Sequence, residues 1–146
     1  TVAPYLFTSS AAEETITLTG ANNMVMTDGV SISATTGSLN TVLRDDNDGN
    51  SSGAVTMGAG SSIVTNGGDV WIGGGANNAT WNGLTVGDST ATSVTTKAIT
   101  LGAGNLNIAS TGAVSLGAIT STDPSSTIDV SSTCAVTQTG AITGGQ

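Results

Sequence analysis

Apolar and polar residues alternate along short stretches of this chain. Each stretch covers three to five residues and ends at a glycine or at a cluster of Asn, Ser and Thr. A period of two is typical of a β-strand with one buried face, and the residues at the ends are typical of turns. The clearest run of alternating apolar positions is Ile99, Leu101, Leu106, Ile108, Val114 and Leu116. The pattern predicts an all-β fold built from short strands.

The alternating stretches repeat along the chain. Residues 54–73 resemble residues 98–117 at a shift of 44, with Ala54 falling on Ala98 and Ile72 on Leu116. A repeat of this length fits either a sandwich of hairpins or a solenoid with coils of about 20 residues, two to each 44-residue repeat. Sandwich strands are usually longer and richer in aromatic residues, and this chain has only four. The sequence therefore predicts a parallel β-helix, also called a β-solenoid.

The composition divides the chain into two parts. Residues 1–14 differ in composition from the rest of the chain and contain both single-ring aromatic residues, Tyr5 and Phe7. We expect this segment to be an N-terminal arm or cap, with Tyr5 and Phe7 at an interface with a neighbouring subunit. Residues 15–146 are predicted to form the solenoid, interrupted by an acidic loop at 44–52.

The stretch "ITLGAGNLNIASTGAVSLGAIT", residues 99–120, resembles the coils of filamentous-haemagglutinin-like exoproteins of two-partner secretion and of some autotransporter passengers. The similarity covers residues 53–146 and, more faintly, residues 15–40. It implies a right-handed parallel β-helix displayed outside a bacterial cell, with an adhesive or structural role.

The net charge limits the partners of the chain. Ten acidic residues face only Arg44 and Lys97, which gives a net charge of −8. Two basic side chains cannot neutralise a phosphate backbone or an anionic membrane surface, so we expect no binding to nucleic acid or to such a membrane. No apolar run approaches 18 residues, and we expect no membrane-spanning helix.

Reactive side chains are scarce. The chain has no histidine, one lysine and one arginine, which excludes Ser–His and Cys–His catalysis and imidazole metal sites. Hydrolysis of glycosides by paired carboxylates is the enzyme class left open, but the candidate acids lie in or beside predicted turns, where Asp usually caps backbone amides. These candidates are Asp69, Asp88, Asp123 and Asp129. We predict that the chain is not an enzyme.

The single cysteine, Cys134, shares strand parity with Val136. This parity predicts a buried, unreactive thiol. The other interpretation is a disulfide bridge to a second chain.

The segment "RDDNDGN", residues 44–50, is the densest cluster of carboxylates. Asp45, Asp46 and Asp48 could ligate Ca²⁺ with hard oxygen atoms, although the spacing does not match an EF-hand loop. The other interpretation is an exposed acidic loop without a metal. No other cofactor is expected.

The two tryptophans are candidates for a binding surface. Trp71 stands between Val70 and Ile72, which fit the buried face, so Trp71 should point away from the core, and Trp81 lies near a predicted corner. An exposed indole suits a neighbouring subunit or a stacked sugar ring, whereas a segment folded over Trp71 is the other interpretation. Sequons for N-glycosylation begin at Asn50 and Asn78.

These features favour a structural role over a catalytic one. The first and last coils of a solenoid carry unpaired backbone groups that can pair with another chain. We expect a secreted, extracellular protein that self-assembles end to end, as a homopolymer, into a fibre or surface layer. The alternative is a fragment of an adhesin that binds glycans or a host cell surface.

Overall fold

The computed structural model describes the backbone of residues 6–9 and the full residues 12–145, and these residues form strands and turns without a helix. After β1 (Leu6–Ser9), the chain winds through five coils of three strands each. The first coil holds β2 (Glu13–Thr19), β3 (Asn23–Met26) and β4 (Ser31–Ala34), and the second holds β5 (Ser38–Asp45), β6 (Ala54–Met57) and β7 (Ser62–Val64). The third holds β8 (Val70–Trp81), β9 (Leu84–Ser89), β10 (Ser93–Thr95) and β11 (Ala98–Gly102), where β9 is an addition to the three-strand plan. The fourth holds β12 (Leu106–Ser110), β13 (Val114–Leu116) and β14 (Ile119–Ser121), and the fifth holds β15 (Ile128–Ser132), β16 (Val136–Gln138) and β17 (Ile142–Thr143).

Each coil contributes one strand to each of three sheets. Sheet A has the order β1-β4-β7-β11-β14-β17, sheet B the order β15-β12-β8-β5-β2, and sheet C the order β16-β13-β10-β6-β3. Neighbours along all three sheets pair in parallel, and only β8 and β9 pair in antiparallel fashion among the strands described. The predicted parallel β-helix is confirmed.

The core consists of aliphatic side chains stacked in rows, one from each coil. The register of sheet A aligns one row of isoleucines, and that of sheet C aligns a row of Met and Val. These rows are Ile32, Ile63, Ile99, Ile119 and Ile142 in sheet A, and Met24, Val55, Val94, Val114 and Val136 in sheet C. Sheet B aligns Leu18, Leu43, Ile72, Ile108 and Val130. Branched side chains fill the narrow interior, which explains the strict alternation in the sequence.

The coils differ in length. From β10 onwards, equivalent residues of successive coils are 19 to 23 positions apart, close to the predicted length. Paired residues of β2 and β5 are 25 positions apart. Pairs that span the loop after β5 or the β8–β9 hairpin are 29 to 39 positions apart, because these segments are inserted in the second and third coils. The 44-residue shift also relates different sheets: Ala54 in sheet C pairs with Ser93, whereas Ala98 in sheet A pairs with Ser62. Strands of all three sheets share the same alternation of apolar and polar residues. Residues 54–73 and 98–117 therefore match in sequence although they do not occupy equivalent positions in the solenoid.

A ladder of polar side chains supports the turns that precede sheet B. The Asn40 side-chain oxygen accepts a hydrogen bond from the Asp69 backbone amide at 2.8 Å, and Asp69 Oδ1 accepts one from the Asn105 amide at 2.7 Å. Asn105 Oδ1 in turn accepts a hydrogen bond from the Thr127 amide at 2.9 Å. Each coil therefore caps the first amide of the next strand region, which fixes the stacking register at this corner.

The predicted N-terminal arm contains β1. Its backbone pairs in parallel with β4, so β1 forms the first strand of sheet A. Phe7 belongs to this strand, opposite Ile32, and Tyr5 lies outside the described residues.

Candidate functional site

Two adjacent carboxylates are buried where β5 ends, at the corner between sheets B and C. We call Asp45 and Asp46 the acidic corner. Asp45 follows Leu39 and Leu43 on the inward face of β5 and is 0% exposed, and Asp46 is 5% exposed. Asp46 adopts a left-handed backbone conformation with φ of 48°, which turns the chain out of the sheet. The predicted loop at 44–52 therefore starts later than expected, because β5 continues through Asp45.

No other described residue donates a hydrogen bond to the buried carboxylate of Asp45. Neither of its oxygen atoms, nor Oδ1 of Asp46, has a partner among the described residues. Burial, and then the neighbouring charge of Asp46, raise the pKa of Asp45 to about 6, and its own amide offsets part of this effect. Buried carboxylates are normally paired or strongly hydrogen-bonded, so the acidic corner is an exception that needs a chemical explanation.

Two glycines make room for the Asp45 side chain. Gly74 is its register partner in β8, and a Cβ added to Gly74 would collide with Asp45 Oδ1 and lie 2.9 Å from the Thr90 carbonyl oxygen. A Cβ added to Gly53 would lie 3.0 Å from Asp45 Oδ2 and would collide with the Asn22 carbonyl oxygen. The Asn22 carbonyl of the first coil thus lies beside Gly53, and the Thr90 carbonyl of the third coil lies beside Gly74. The Asp45 carboxylate lies beside both glycines.

Asp48, the third predicted Ca²⁺ ligand, lies apart from this pair. It is exposed, and its Oδ2 accepts a hydrogen bond from Asn50 Nδ2 at 2.9 Å. Within residues 12–145 no group of three or more acidic or cysteine side chains is arranged to hold a metal ion. The structure therefore brings together Asp45 and Asp46 but does not bring Asp48 to them.

Arg44 projects from the opposite face of β5. Its guanidinium is buried and donates to the Gly75 carbonyl at 2.6 Å, the Asn77 carbonyl at 2.8 Å and Asn78 Oδ1 at 2.9 Å. These acceptors are neutral and belong to the base of the β8–β9 hairpin. Arg44 therefore anchors the hairpin and points away from the acidic corner.

The hairpin folds over the outer face of sheet B. Val42, Trp71, Leu84 and Val86 form a second apolar cluster there, separate from the solenoid core. Trp71 faces away from the core, as its strand parity predicts, but it is only 5% exposed because β9 covers it. Of the two interpretations of Trp71, the structure matches the one in which a segment of the chain folds over the indole.

The turn of this hairpin carries a sequence signal of its own, separate from the alternation of the strands. Asn82 and Gly83 have φ of 46° and 80°, and they connect the paired residues Trp81 and Leu84. Asn-Gly between alternating residues is typical of a two-residue hairpin turn. Trp81 is partly buried beside this turn, where it packs against the second apolar cluster, not at a corner of the solenoid.

The predicted sequon residues are both exposed. Asn50 Nδ2 donates to Asn22 Oδ1 at 2.7 Å as well as to Asp48, and Asn78 accepts the hydrogen bond from Arg44. Both asparagine side chains therefore take part in local polar contacts that hold a loop or the hairpin.

The four acids weighed as glycosidase candidates make turn and ladder contacts. Asp69 caps Asn105 as described, Asp88 Oδ1 accepts from the Asn77 amide at 3.1 Å, and Asp123 Oδ1 accepts from the Ser125 amide at 2.7 Å. Asp129 Oδ2 accepts from Asn107 Nδ2 at 3.4 Å. The four carboxylates are distributed over separate turns and strands along the solenoid.

The fifth coil exposes side chains that are buried in the other coils. We call β15, β16 and β17 the open coil. Val136 and Ile142, which continue two core rows, are 49% and 37% exposed. Cys134, predicted to be buried, is exposed because it lies in the turn between β15 and β16 instead of on a strand, and the equivalent residues Thr92 and Gly112 of the preceding coils are not buried either.

No helix in the described part of the chain is long and apolar enough to cross a membrane.

Comparison with known proteins gives no relative from which a function could be transferred. No protein-family model, curated protein or solved structure matches the chain, so the resemblance to haemagglutinin-like exoproteins stays a prediction.

Proposed function

We propose that this β-solenoid is a non-enzymatic structural subunit that acts outside the cell and stacks end to end into a fibre or surface layer. The observation that carries the proposal is the open coil. Its strands pair with β12, β13 and β14 on one edge only, among the residues described. Unpaired strand edges and exposed core rows are the features that a further coil would cover.

The open coil matches the interior of the solenoid in register and in side-chain type. Val136 and Ile142 would be buried by another coil just as Val114 and Ile119 are buried by the open coil itself. In the proposed fibre, a second copy of the chain supplies that coil. At the opposite end, β2 and β3 are the outermost strands of sheets B and C among the described residues and offer edges for such a junction.

The charge and composition support an extracellular location. A net charge of −8 keeps a surface rich in β-strands soluble, and only two residues, Arg44 and Lys97, are targets for trypsin-like proteases. Arg44 is also buried, which reduces the accessible targets further.

Electron microscopy of the purified chain tests the proposal. Long filaments of uniform width are the expected result, and analytical ultracentrifugation should show species far larger than the 14.1 kDa chain. Single short particles at all concentrations would contradict self-assembly.

A pair of variants links assembly to the open coil. Val136→Asp places a charge in the row that a stacked coil would bury, so we expect it to abolish filaments. Thr137→Asp is the matched control, because Thr137 is the next residue of β16 and points to the outer face. Filaments that form equally well with Val136→Asp would exclude stacking through this end.

The adhesin alternative has lost one of its binding candidates. Trp71 is covered by the hairpin, which leaves the partly buried Trp81 and the acidic loop as contact residues for a glycan or host surface. No arrangement of these residues favours that alternative over the structural role.

A further inference from the structure

We propose that the acidic corner binds a divalent cation of the Ca²⁺ type. The site joins the second coil to the third, and it is separate from the open coil on which the structural role rests. Asp45 and Asp46 supply three buried oxygen atoms without a hydrogen-bond partner among the described residues. A carboxylate removed from water in this way is strongly unfavourable unless a positive charge or a proton compensates it.

The chain itself does not supply that positive charge. It has two basic side chains, and Arg44 is committed to the hairpin on the opposite face of β5. Lys97 lies in the connection between β10 and β11, which is a different corner of the solenoid. No basic side chain among the described residues therefore balances the charge of the acidic corner, which a bound cation would do.

The atoms around Asp45 are the kind that Ca²⁺ prefers. Asp45 Oδ1 and the Thr90 carbonyl oxygen both border the space that a Cβ on Gly74 would fill, and Asp45 Oδ2 and the Asn22 carbonyl oxygen border the corresponding space at Gly53. Calcium takes six to eight oxygen ligands and accepts main-chain carbonyls and water beside carboxylates. The Asp45 carboxylate and these two carbonyls thus provide a partial shell. Asp46, the next residue, adds a further buried oxygen atom, and bound water would complete the shell.

A proton is the competing partner. If Asp45 were neutral at physiological pH, its carboxylic acid could remain buried without a metal ion. The two explanations differ at neutral pH, because only the cation site predicts saturable binding and a thermal stability that depends on Ca²⁺.

Calorimetric titration of the EDTA-treated full chain at pH 7.5 with CaCl₂ tests the site, with MgCl₂ as a second probe in 100 mM NaCl. We expect one Ca²⁺ per chain and a rise in Tm of about 5 °C at saturation. Asp45→Asn should weaken Ca²⁺ binding at least about tenfold and remove the shift in Tm. Asp48→Asn is the matched control: it removes the same charge from the exposed part of the loop and should leave Ca²⁺ binding intact.

Two results would overturn the proposal. One is an unmodified chain that shows neither heat nor a change in Tm with Ca²⁺, which would assign a proton to the corner. The other is an Asp48→Asn variant that loses Ca²⁺ binding as fully as Asp45→Asn, which would place the ion on the exposed loop. Asp46→Asn provides the same comparison if Asp45→Asn does not fold. Titration of the Val136→Asp variant, which is designed to block stacking, separates the cation site from assembly.

Discussion

Val42 and Trp71 pair in register across β5 and β8, and the β8–β9 hairpin buries both on the outer face of sheet B. This relationship predicts a blue-shifted fluorescence for Trp71 that depends on the hairpin. In a Trp81→Phe background, Val86→Asp should force the hairpin away, because Val86 is 2% exposed within the cluster. We expect a red shift of the emission and stronger quenching by acrylamide.

The control for the hairpin variant is Thr85→Asp. Thr85 is exposed on the other face of β9, so its substitution adds the same charge without entering the cluster. An unchanged emission spectrum in Val86→Asp would show that the hairpin does not cover the indole in solution.

The rows of core side chains predict that truncating a side chain costs more stability in the middle of the solenoid than in the open coil. Ile99→Ala should lower the free energy of unfolding of the monomer by about 2–5 kcal/mol, because Ile99 is buried between Ile63 and Ile119. Ile142→Ala, at the exposed end of the same row, should cost less than about 1 kcal/mol. Urea unfolding of both variants, each in the Val136→Asp background, measures the difference. Equal costs would contradict an open fifth coil.

The acidic corner predicts an unusual dependence of stability on pH. The pKa of Asp45 rises from 3.8 to about 6 in the folded chain, so between these values the native state binds a proton more tightly than the unfolded state. In EDTA, the free energy of unfolding should therefore fall by up to about 3 kcal/mol as the pH rises from 4 to 7.5. Urea unfolding at a series of pH values measures this change.

The same pH series also tests the stability at acid pH, and it has a control variant. Hydrogen bonds from Ser125 hold the pKa of the Asp123 carboxyl below its usual 3.8, so its contribution to stability is lost as the pH falls below that value. Asp45→Asn removes the titrating group and should give a nearly flat profile between pH 5 and 7.5. A profile in which the unmodified chain is most stable at pH 7.5 in EDTA would contradict the raised pKa.

The polar ladder predicts that the Asp69 side chain contributes more to the free energy of unfolding than Asp129, an exposed acid of sheet B. Asp69 Oδ1 accepts hydrogen bonds from the Asn105 amide and from Asn105 Nδ2, and Oδ2 accepts one from Asn82 at the tip of the hairpin. Asp69→Ala should cost about 2 kcal/mol, because it leaves a partly buried backbone amide without its acceptor. Asp129→Ala, which removes one exposed contact, should change stability by less than about 0.5 kcal/mol when measured by urea unfolding.

The strand pattern predicted the solenoid because the same two-residue period serves all three sheets. Ile99 and Leu101, which the alternation places inward, are both fully buried in the core. Coil length was predictable only where no insertion occurs. Because short apolar strands of all three sheets have similar sequences, strands from different sheets matched each other at a shift of 44 residues.

The candidate site was harder to predict, because burial there depends on segments distant in sequence. Trp71 is covered by β9, and only the Asn82–Gly83 turn signal could have indicated a hairpin that folds back. Asp45 continues the inward positions of Leu39 and Leu43, so strand parity alone could have placed it inside. The neighbouring acids and Gly49 instead suggested an exposed loop, and nothing in the sequence indicated the glycines Gly53 and Gly74 that accommodate the carboxylate.

The hairpin leaves and rejoins the solenoid at one place, since Gly74 and Ser89 are paired with each other. The excursion between them leaves intact the register of Val70 and Ile72 with Leu106 and Ile108 in the next coil. Its length is therefore decoupled from the stacking of the coils. The tip at Asn82–Gly83 is thus a position where a foreign peptide can be grafted without changing the register of the coils, with the hydrogen bond from Asn82 to Asp69 as the contact that is given up.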